Sequence, residues 1–239
     1  MTMNRDMIKY IAALAMLINH IGHLFLPSPV SEICIDIGFF TAVTMCYFLV
    51  EGYRYTHSKK RYGIRLFVFA MLSQIPYMLA FSEGNQLQWT NLNMIFNLFI
   101  CFLLIHVMHI LPPGDKRSIC MAVLICGSAF CDWSCLAPFF VLLFLNAGKD
   151  REKMIRAWLI SVILIGTERF IDGFSKMSVS RNLLSGLGAM SGPAMAGCCI
   201  LFFYNGRKAE RFQTFHQYFF YLFYPLHLLV LGFLRLRFC

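Results

Sequence analysis

Charged residues are scarce in this chain of 239 residues: they make up 14% of it, whereas hydrophobic residues make up 59%. This balance excludes a soluble globular domain, in which about a quarter of the residues are charged. The chain also lacks linkers rich in serine and glycine, internal repeats, and any segment of distinct composition. The sequence therefore predicts a single integral membrane domain over residues 1–239, with little mass outside the bilayer.

Two further absences concern metal sites and cleavage. The ten cysteines show no zinc-type spacing, and a histidine pair such as His106 and His109 rarely makes a metal site without a third ligand, so we predict no metal site. Cys131 and Cys135 lie together at a predicted outer turn, where a disulfide is an open alternative. No small-residue cleavage site follows the first apolar run before Pro27, so we expect that run to be an uncleaved membrane span.

Long apolar runs, in contrast, are abundant, and a helix needs about 20 apolar residues to cross a bilayer. The sequence predicts an all-α fold, a polytopic transmembrane helical bundle with about nine spans. Because the fifth and sixth spans are short, the alternative is one interrupted segment that dips toward one face and returns. The predicted spans are 7–27, 34–53, 62–81, 91–111, 118–131, 134–147, 153–171, 184–204 and 216–236.

The basic residues indicate the orientation, because Lys and Arg in short loops stay on the cytoplasmic side. With a cytoplasmic N-terminus, most of the 21 basic residues fall in inner segments, and the outer turns around Glu32, Glu83 and Asp132 carry none. The outer exceptions are Arg169, Lys176, Arg181, Arg235 and Arg237. Membrane orientation and attraction to lipid headgroups thus explain the net charge of +9, and we expect no nucleic acid as a partner.

The first span carries two ionisable groups, Lys9 and His20. Eleven residues separate them, which is about 16 Å and close to three full turns of helix, so they share one face. A cation at the inner mouth and an imidazole farther out suit a path along which an anionic donor enters and reacts. The alternative is that Lys9 snorkels to the interface and His20 merely hydrogen-bonds a neighbouring helix.

The last span carries a second polar stripe. His227 lies deep in it, Tyr224 lies one turn earlier, and Pro225 between them frees backbone groups that need partners. Since Asp132 is also predicted at the outer side, we expect two histidines and a carboxylate at a similar depth. One imidazole would then act as a general base, and the carboxylate would orient an imidazole. Tyr224 has an alternative role as an interface anchor.

A run of small residues at 186–197 precedes this span. Gly188 and Gly192 are four residues apart, which allows close packing of helices. Together with Pro193, the run is equally consistent with a broken helix.

Several of these stretches, in chain order, resemble the successive signatures of the TraX family. The resemblance runs from about residue 7 to 233, and its Phe-Tyr-Pro-Leu-His element is specific. The stretches are MIKYIAALAMLINHIGHLF, FLVEGYRYTHSKKRYGIRLFVFAMLSQIPY, CDWS, FFYNGRKAERF and YFFYLFYPLHLLVL. The resemblance implies a multi-pass protein of the bacterial cytoplasmic membrane, linked to N-terminal acetylation of conjugative pilin and similar to transmembrane acyltransferases.

The resemblance also implies a donor and its binding residues. In transmembrane acyltransferases, a basic residue, ten intervening residues and a histidine mark the first span, and Lys9 and His20 fit that spacing. The implied donor is cytoplasmic acyl-CoA, expected to be acetyl-CoA, with its phosphates near Lys9 and near Arg54 or Arg65. His20 would lie near the thioester, and we expect His227 and Tyr224 to stabilise or reprotonate the reacting groups.

One residue departs from the family pattern. The position before the histidine is usually Asp in the family, whereas this chain has Asn19. Asp132 matches the acidic position of the family's later motif and is expected to supply the missing carboxylate. The expected partners are membrane lipids, acyl-CoA, and an exported peptide, pilin or glycan as the acceptor.

Two other classes of function stay open at this point. A proton-coupled transporter or channel would use the intramembrane histidines as a relay, but the halves of the chain show no repeat. A pilus assembly factor without chemistry would leave the buried polar groups unexplained.

Overall fold

The computed structural model describes residues 2–82, 91–175 and 177–238, and these residues are almost entirely helical. Each predicted span coincides with one helix, which confirms the helical membrane bundle. The helices are α1 (Arg5–Phe25), α2 (Val30–Tyr55), α3 (Lys59–Phe81), α4 (Met94–Ile110), α5 (Asp115–Ser128), α6 (Leu136–Ala147), α7 (Arg151–Gly173), α8 (Val179–Cys198) and α9 (Gln213–Phe238). A π-helical turn, Cys199–Phe203, follows α8 directly.

Not every helix has the length and composition of a membrane span. Within the described residues, five helical segments are long and apolar enough: α1, α2, α3, α8 with its π-helical turn, and α9. The helices α4 and α6 are apolar but shorter, and the 14 residues of α5 extend only about 21 Å, less than the roughly 30 Å of a hydrocarbon core. The number of crossings and the cytoplasmic N-terminus therefore stay predictions. Glu83 and Lys176, which entered the orientation argument, lie outside the described residues.

Side-chain caps fix where several helices begin. The side chain of Asn4 accepts a hydrogen bond from the Met7 N–H at the start of α1. Asn93 caps α4 through the N–H groups of Ile95 and Phe96, and Asp150 caps α7 in the same manner. These caps satisfy backbone donors that have no partner within the helix.

The helices group into two compact units. The first unit comprises Met1–Met45 and Lys149–Phe223, and the second comprises Cys46–Gly148 and Tyr224–Cys239. The long helices α2 and α9 each contribute their first part to the first unit and the rest to the second.

Glycines allow close contact between helices in the first unit. A Cβ added at Gly22 would lie 2.5 Å from the Cys34 Cβ, and one at Gly192 would lie 2.7 Å from the Phe40 backbone nitrogen. The helix α8 runs unbroken through Pro193. Of the two alternatives for this run, the structure therefore shows close packing and not a broken helix.

Candidate functional site

The inner end predicted for α1 is bound to the segment that precedes α9. Backbone hydrogen bonds join the Met3 N–H to the Phe203 carbonyl at 2.8 Å, and the Arg5 N–H to the Arg207 carbonyl at 2.8 Å. The carboxylate of Asp6 accepts a hydrogen bond of 2.7 Å from the Ala209 N–H. These bonds hold residues 203–209 against the first turn of α1.

Lys9 lies half-buried within this arrangement. Its ammonium is 5.4 Å from the centroid of the Phe220 ring, a cation–π distance, and the neighbouring Tyr10 hydroxyl is 2.7 Å from Nδ1 of His216. The Lys9 ammonium thus lies near an aromatic ring of α9.

His20 is buried, with 8% of its surface exposed. Because α1 is continuous from Arg5 to Phe25, the separation of about 16 Å between Lys9 and His20 along one face is retained. Ala13, on the same face between them, is also buried. The residues on this face therefore line the interior of the first unit.

Asn19, which replaces the family's usual aspartate, packs against α2. Its amide nitrogen lies 3.3 Å from the carbonyl oxygen of Ile35 and donates a hydrogen bond to it. A Cβ at Gly38 would collide with the Asn19 side chain. Asn19 thus connects α1 to α2 directly beside His20, a structural role that needs no charge.

Asp36 is an acidic side chain of the first unit that sequence reasoning missed. It lies half-buried within α2, and its Oδ2 is 2.5 Å from the point that a Gly188 Cβ would occupy. Arg169 of α7 acts on it electrostatically, and Arg169 also acts on His23 of α1. An acid inside an apolar span is a signal of function by itself, and that signal was available in the sequence.

Other charges lie close to this acid. The Arg169 Nε lies 3.2 Å from the hydroxyl of Ser185 and donates to it. Glu32 accepts a hydrogen bond of 2.6 Å from the Ser28 hydroxyl, and it pairs with Arg181 at 3.4 Å. The first unit therefore gathers both signs of charge at the end predicted to face outward, near His20 and His23.

The second unit contains the other predicted catalytic residues. Tyr224 and His227 are buried, with 5% and 7% of their surfaces exposed, and their ring centroids are 5.7 Å apart in an edge-on arrangement. The Asp132 carboxylate interacts electrostatically with the Tyr224 and Tyr77 hydroxyls. Asp132, Tyr224 and His227 thus belong to one compact unit, as Lys9 and His20 belong to the other.

A network of buried amides holds the Asp132 loop in place. Asn97 donates from Nδ2 to the carbonyl oxygens of Asp132 at 2.8 Å and Ser134 at 3.1 Å. The Asp132 N–H in turn donates to the Leu92 carbonyl at 2.7 Å. One helix turn before Asn97, the Asn93 side chain donates to Gln74 Oε1 at 2.9 Å.

The surroundings of Asp132 change its proton affinity. The residue lies half-buried in the loop between α5 and α6, and withdrawal from water raises the pKa of its carboxyl from 3.8 to about 6, although the Trp133 N–H acts in the opposite direction. Burial disfavours the charged form, so the neutral acid persists to a higher pH than in water. A carboxyl with this pKa can accept or release a proton near physiological pH.

The two predicted phosphate-binding arginines have structural contacts of their own. The Arg54 guanidinium donates to the carbonyls of Gly148 at 2.8 Å and Leu145 at 3.2 Å, at the carboxyl end of α6. The guanidinium carbon of Arg65 lies 5.8 Å from the Tyr62 ring centroid. Both arginines lie in the second unit and Lys9 in the first, so a phosphate site shared by these cations stays a prediction.

The cysteines and the grouping of possible metal ligands give two further findings. Cys131 and Cys135 are free thiols, so the alternative of a disulfide at this turn was wrong. Across the described ranges 2–82, 91–175 and 177–238, no three His, Cys, Asp or Glu side chains group in a way that could hold a metal ion.

Comparison with known proteins agrees with the signatures along the chain. A sequence model of the TraX protein family matches residues 4–235. The chain is 28% identical over 236 residues to the probable fimbrial assembly protein FimC, serogroup H1, of Dichelobacter nodosus, covering 94% of this chain and 92% of that protein. No solved structure matches. Because the family match extends over nearly the entire sequence, this protein belongs to the TraX family.

Proposed function

We propose that this protein is a membrane-embedded acyltransferase of the bacterial cytoplasmic membrane. It moves an acyl group, expected to be acetyl, from acyl-CoA on the cytoplasmic side to an amine or hydroxyl acceptor on the outer side. The association of the TraX family with pilin acetylation supports this proposal. The observation that carries it is the buried His20, which lies on the same face of the unbroken helix α1 as Lys9.

The reaction requires a proton to move from the acceptor to the leaving group. The acceptor nitrogen or oxygen attacks the thioester carbonyl, the carbon–sulfur bond breaks, and the CoA thiolate leaves. In our proposal, His20 takes the acceptor's proton and then delivers it to the thiolate. A covalent route is the alternative, in which His20 carries the acyl group as an acyl-imidazole.

The second unit supplies further proton-transfer groups to the proposal. Tyr224 and His227 are buried beside each other, and the Asp132 carboxylate interacts with the Tyr224 hydroxyl. Asp132 takes the role of the carboxylate that Asn19 cannot provide, since its raised pKa favours proton exchange near neutral pH. That these groups act together with His20 is part of the proposal.

The name of the relative from Dichelobacter nodosus favours a particular class of acceptor. That protein is described as a probable fimbrial assembly protein. We therefore propose that the acceptor is a group exported to the outer side, with a pilus subunit as the first candidate and another peptide or a glycan hydroxyl as the others.

Acyl-CoA binding and turnover test the proposal. Purified protein in lipid nanodiscs would receive labelled acetyl-CoA, and release of free CoA thiol would be followed over time. We expect wild type to bind CoA, Lys9→Ala to bind it more weakly, and His20→Gln to bind it normally but release no thiol. The matched controls are His57→Gln and Lys116→Gln, because both side chains are exposed and outside the proposed site.

The result would also separate the alternatives. If folded wild type shows no CoA binding, the proposal fails and the transporter class becomes the one to test. The relative's name favours one more candidate, an assembly factor that acts without chemistry. In that case His20→Gln would leave the assembly of pili unchanged, whereas a catalytic His20 would be required for any effect that depends on acetylation.

A further inference from the structure

Residues 205–211 form a loop between the π-helical turn and α9, which we call the basic loop. It carries Arg207, Lys208 and Arg211, and all three side chains are exposed. No ion pair or hydrogen bond involves these three side chains within the described part of the chain. The one acid of the loop, Glu210, is exposed as well, so the loop has a net positive charge.

The backbone of the basic loop is fixed relative to α1. The Arg207 carbonyl accepts from the Arg5 N–H, and the Ala209 N–H donates to the Asp6 carboxylate. Asp6 is buried, with 7% of its surface exposed, and its bond to the loop backbone partly satisfies its charge. The loop therefore presents its cations from a fixed backbone position and not from a free tether.

The basic loop and Lys9 both lie near the start of α1 in the first unit. The anchor of the loop, Arg5, is one helical turn before Lys9 in α1, and the Lys9 ammonium is itself held over the Phe220 ring of α9. Five cations, Arg5 and Lys9 on the helix and three on the loop, thus occur where α1 begins. Guanidinium groups match phosphate through paired hydrogen bonds, and lysine serves phosphate as a point charge.

We propose that the basic loop is a phosphate-binding element that holds the nucleotide end of the donor, with Arg207, Lys208 and Arg211 contacting its phosphate groups. The proposal rests on the proposed function, because the donor is the CoA thioester named there. It differs from the pairing of Lys9 with Arg54 or Arg65 that the sequence favours. Those arginines already bind the carboxyl end of α6 or lie against a tyrosine ring.

Two ligands carry phosphate groups of the kind that the basic loop would bind: the CoA nucleotide and anionic lipid headgroups. The test therefore compares wild type with R207Q/K208Q/R211Q in nanodiscs of zwitterionic phosphatidylcholine and in nanodiscs that also contain anionic phosphatidylglycerol. The probes are CoA and dephospho-CoA, which lacks the 3′-phosphate. The matched control is K60Q/R61Q/K116Q, which removes the same charge from exposed side chains of segments predicted on the same side of the membrane.

In zwitterionic nanodiscs, we expect the triple variant to bind CoA at least about tenfold more weakly than wild type, as lost charge-assisted hydrogen bonds would cause. The control should change less than about twofold. Wild type should prefer CoA over dephospho-CoA, and the triple variant should not. The variant R207K/R211K, which keeps the charge but loses the paired donors, should give an intermediate loss.

The outcomes distinguish failure of the basic-loop proposal from failure of the proposed function. If wild type binds and turns over acetyl-CoA and the triple variant does the same with unchanged affinity, the phosphate role of the loop is overturned and the proposed function stands. A triple variant that differs only in its stabilisation by phosphatidylglycerol would also overturn the proposal and indicate a lipid site. If folded wild type binds no CoA at all, the proposal and the proposed function both fail. Equal thermal unfolding of wild type and variants checks that the loop substitutions leave the fold intact.

Discussion

Both units bury polar side chains, and those of the second unit include a network of amides. In the first unit the buried set combines the ionisable Asp6 and His20 with neutral hydroxyl and amide side chains. In the second unit, His227 is buried together with serines and with Gln74, Asn93 and Asn97, amides that bind one another or the loop backbone. A neutral network can be fully satisfied in the folded protein and fixes geometry, whereas buried ionisable groups keep proton and ligand affinity.

The contrast indicates that the two units have different roles in the proposed reaction. In our proposal the first unit supplies the base His20 together with Lys9 and the basic loop, and the second unit supplies the acid Asp132, whose loop is held by buried amides. Helix contacts differ as well, since glycines bring α2, α7 and α8 together in the first unit. In the second unit, aromatic side chains fill the space, as Phe102 does against Tyr53 and Tyr62.

The largest expected effect is on the rate of acyl transfer, and it should differ between substitutions of the two buried histidines. His20→Gln should lower acyl transfer by about 100-fold or more, which is the range for loss of a general base, while CoA affinity stays unchanged. His227→Gln should lower it less, by about tenfold, because its role is to stabilise or reprotonate. Thiol release in nanodiscs measures both, with His57→Gln as the control. A greater loss for His227→Gln would place the base in the second unit.

The second largest effect should be on the free energy of unfolding when glycines at helix contacts of the first unit are replaced. Gly192→Ala should lower the free energy of unfolding by about 1–3 kcal/mol, because the new Cβ would meet the backbone of α2 at Phe40 and Asp36. Gly188→Ala should cost less, since its Cβ meets only the end of the Asp36 side chain, which can move. Thermal unfolding in nanodiscs measures both. Equal losses would mean that α8 shifts as a whole.

The amide frame of the second unit should respond to loss of Asn97. Asn97→Leu removes two donors from the buried loop carbonyls and should cost about 1–3 kcal/mol of unfolding free energy. Asn146→Ala, at an exposed position near the end of α6, should cost little and serves as the control. The idea of a rigid frame would be refuted if Asn97→Leu melted like wild type and kept full transfer activity.

The smallest expected effect concerns the pH dependence of stability at Asp132. Its folded pKa of about 6 exceeds the value of 3.8 expected for the unfolded chain, so the folded state binds more protons between these values. The free energy of unfolding therefore falls as pH rises from about 4 to about 6. Above that range the buried carboxyl is ionised, and the full cost of this ionisation lowers stability.

Asp132→Asn should remove this penalty while it impairs transfer. The variant should melt at a higher temperature than wild type at pH 7 and at a similar temperature at pH 4. Melting curves at the two pH values, alongside thiol release, test this. A variant that melts lower than wild type at pH 7 would show that the ionised carboxylate makes a stabilising contact in the folded protein.

Much of the fold was accessible from the sequence, and part of the site was too. Each apolar run became a helix, because backbone groups in an apolar environment must bond within their own segment. The shared face of Lys9 and His20 followed from helical spacing alone. Asp132, Tyr224 and His227 belong to one unit and His20 to the other, so the expected gathering of both histidines with Asp132 stays a prediction.

Other features needed contacts that spacing does not reveal. The sequence assigned Arg54 to the donor phosphates, and only the fold shows its bonds to the end of α6. The electrostatic interaction of Asp36 with Arg169 of α7 likewise depends on the fold. The glycine run at 186–197 fitted two structures until the position of α2 against Gly192 decided between them.

By itself, the sequence determined that this is a helical membrane protein of the TraX family with ionisable groups inside its first and last helices. Hydrophobicity and helical period are local properties, so they can be read along the chain. The tertiary structure decided which polar groups face one another, which arginine caps a helix, and which basic loop is fixed beside Lys9. Those results depend on residues far apart in the chain, and only packing brings such residues into contact.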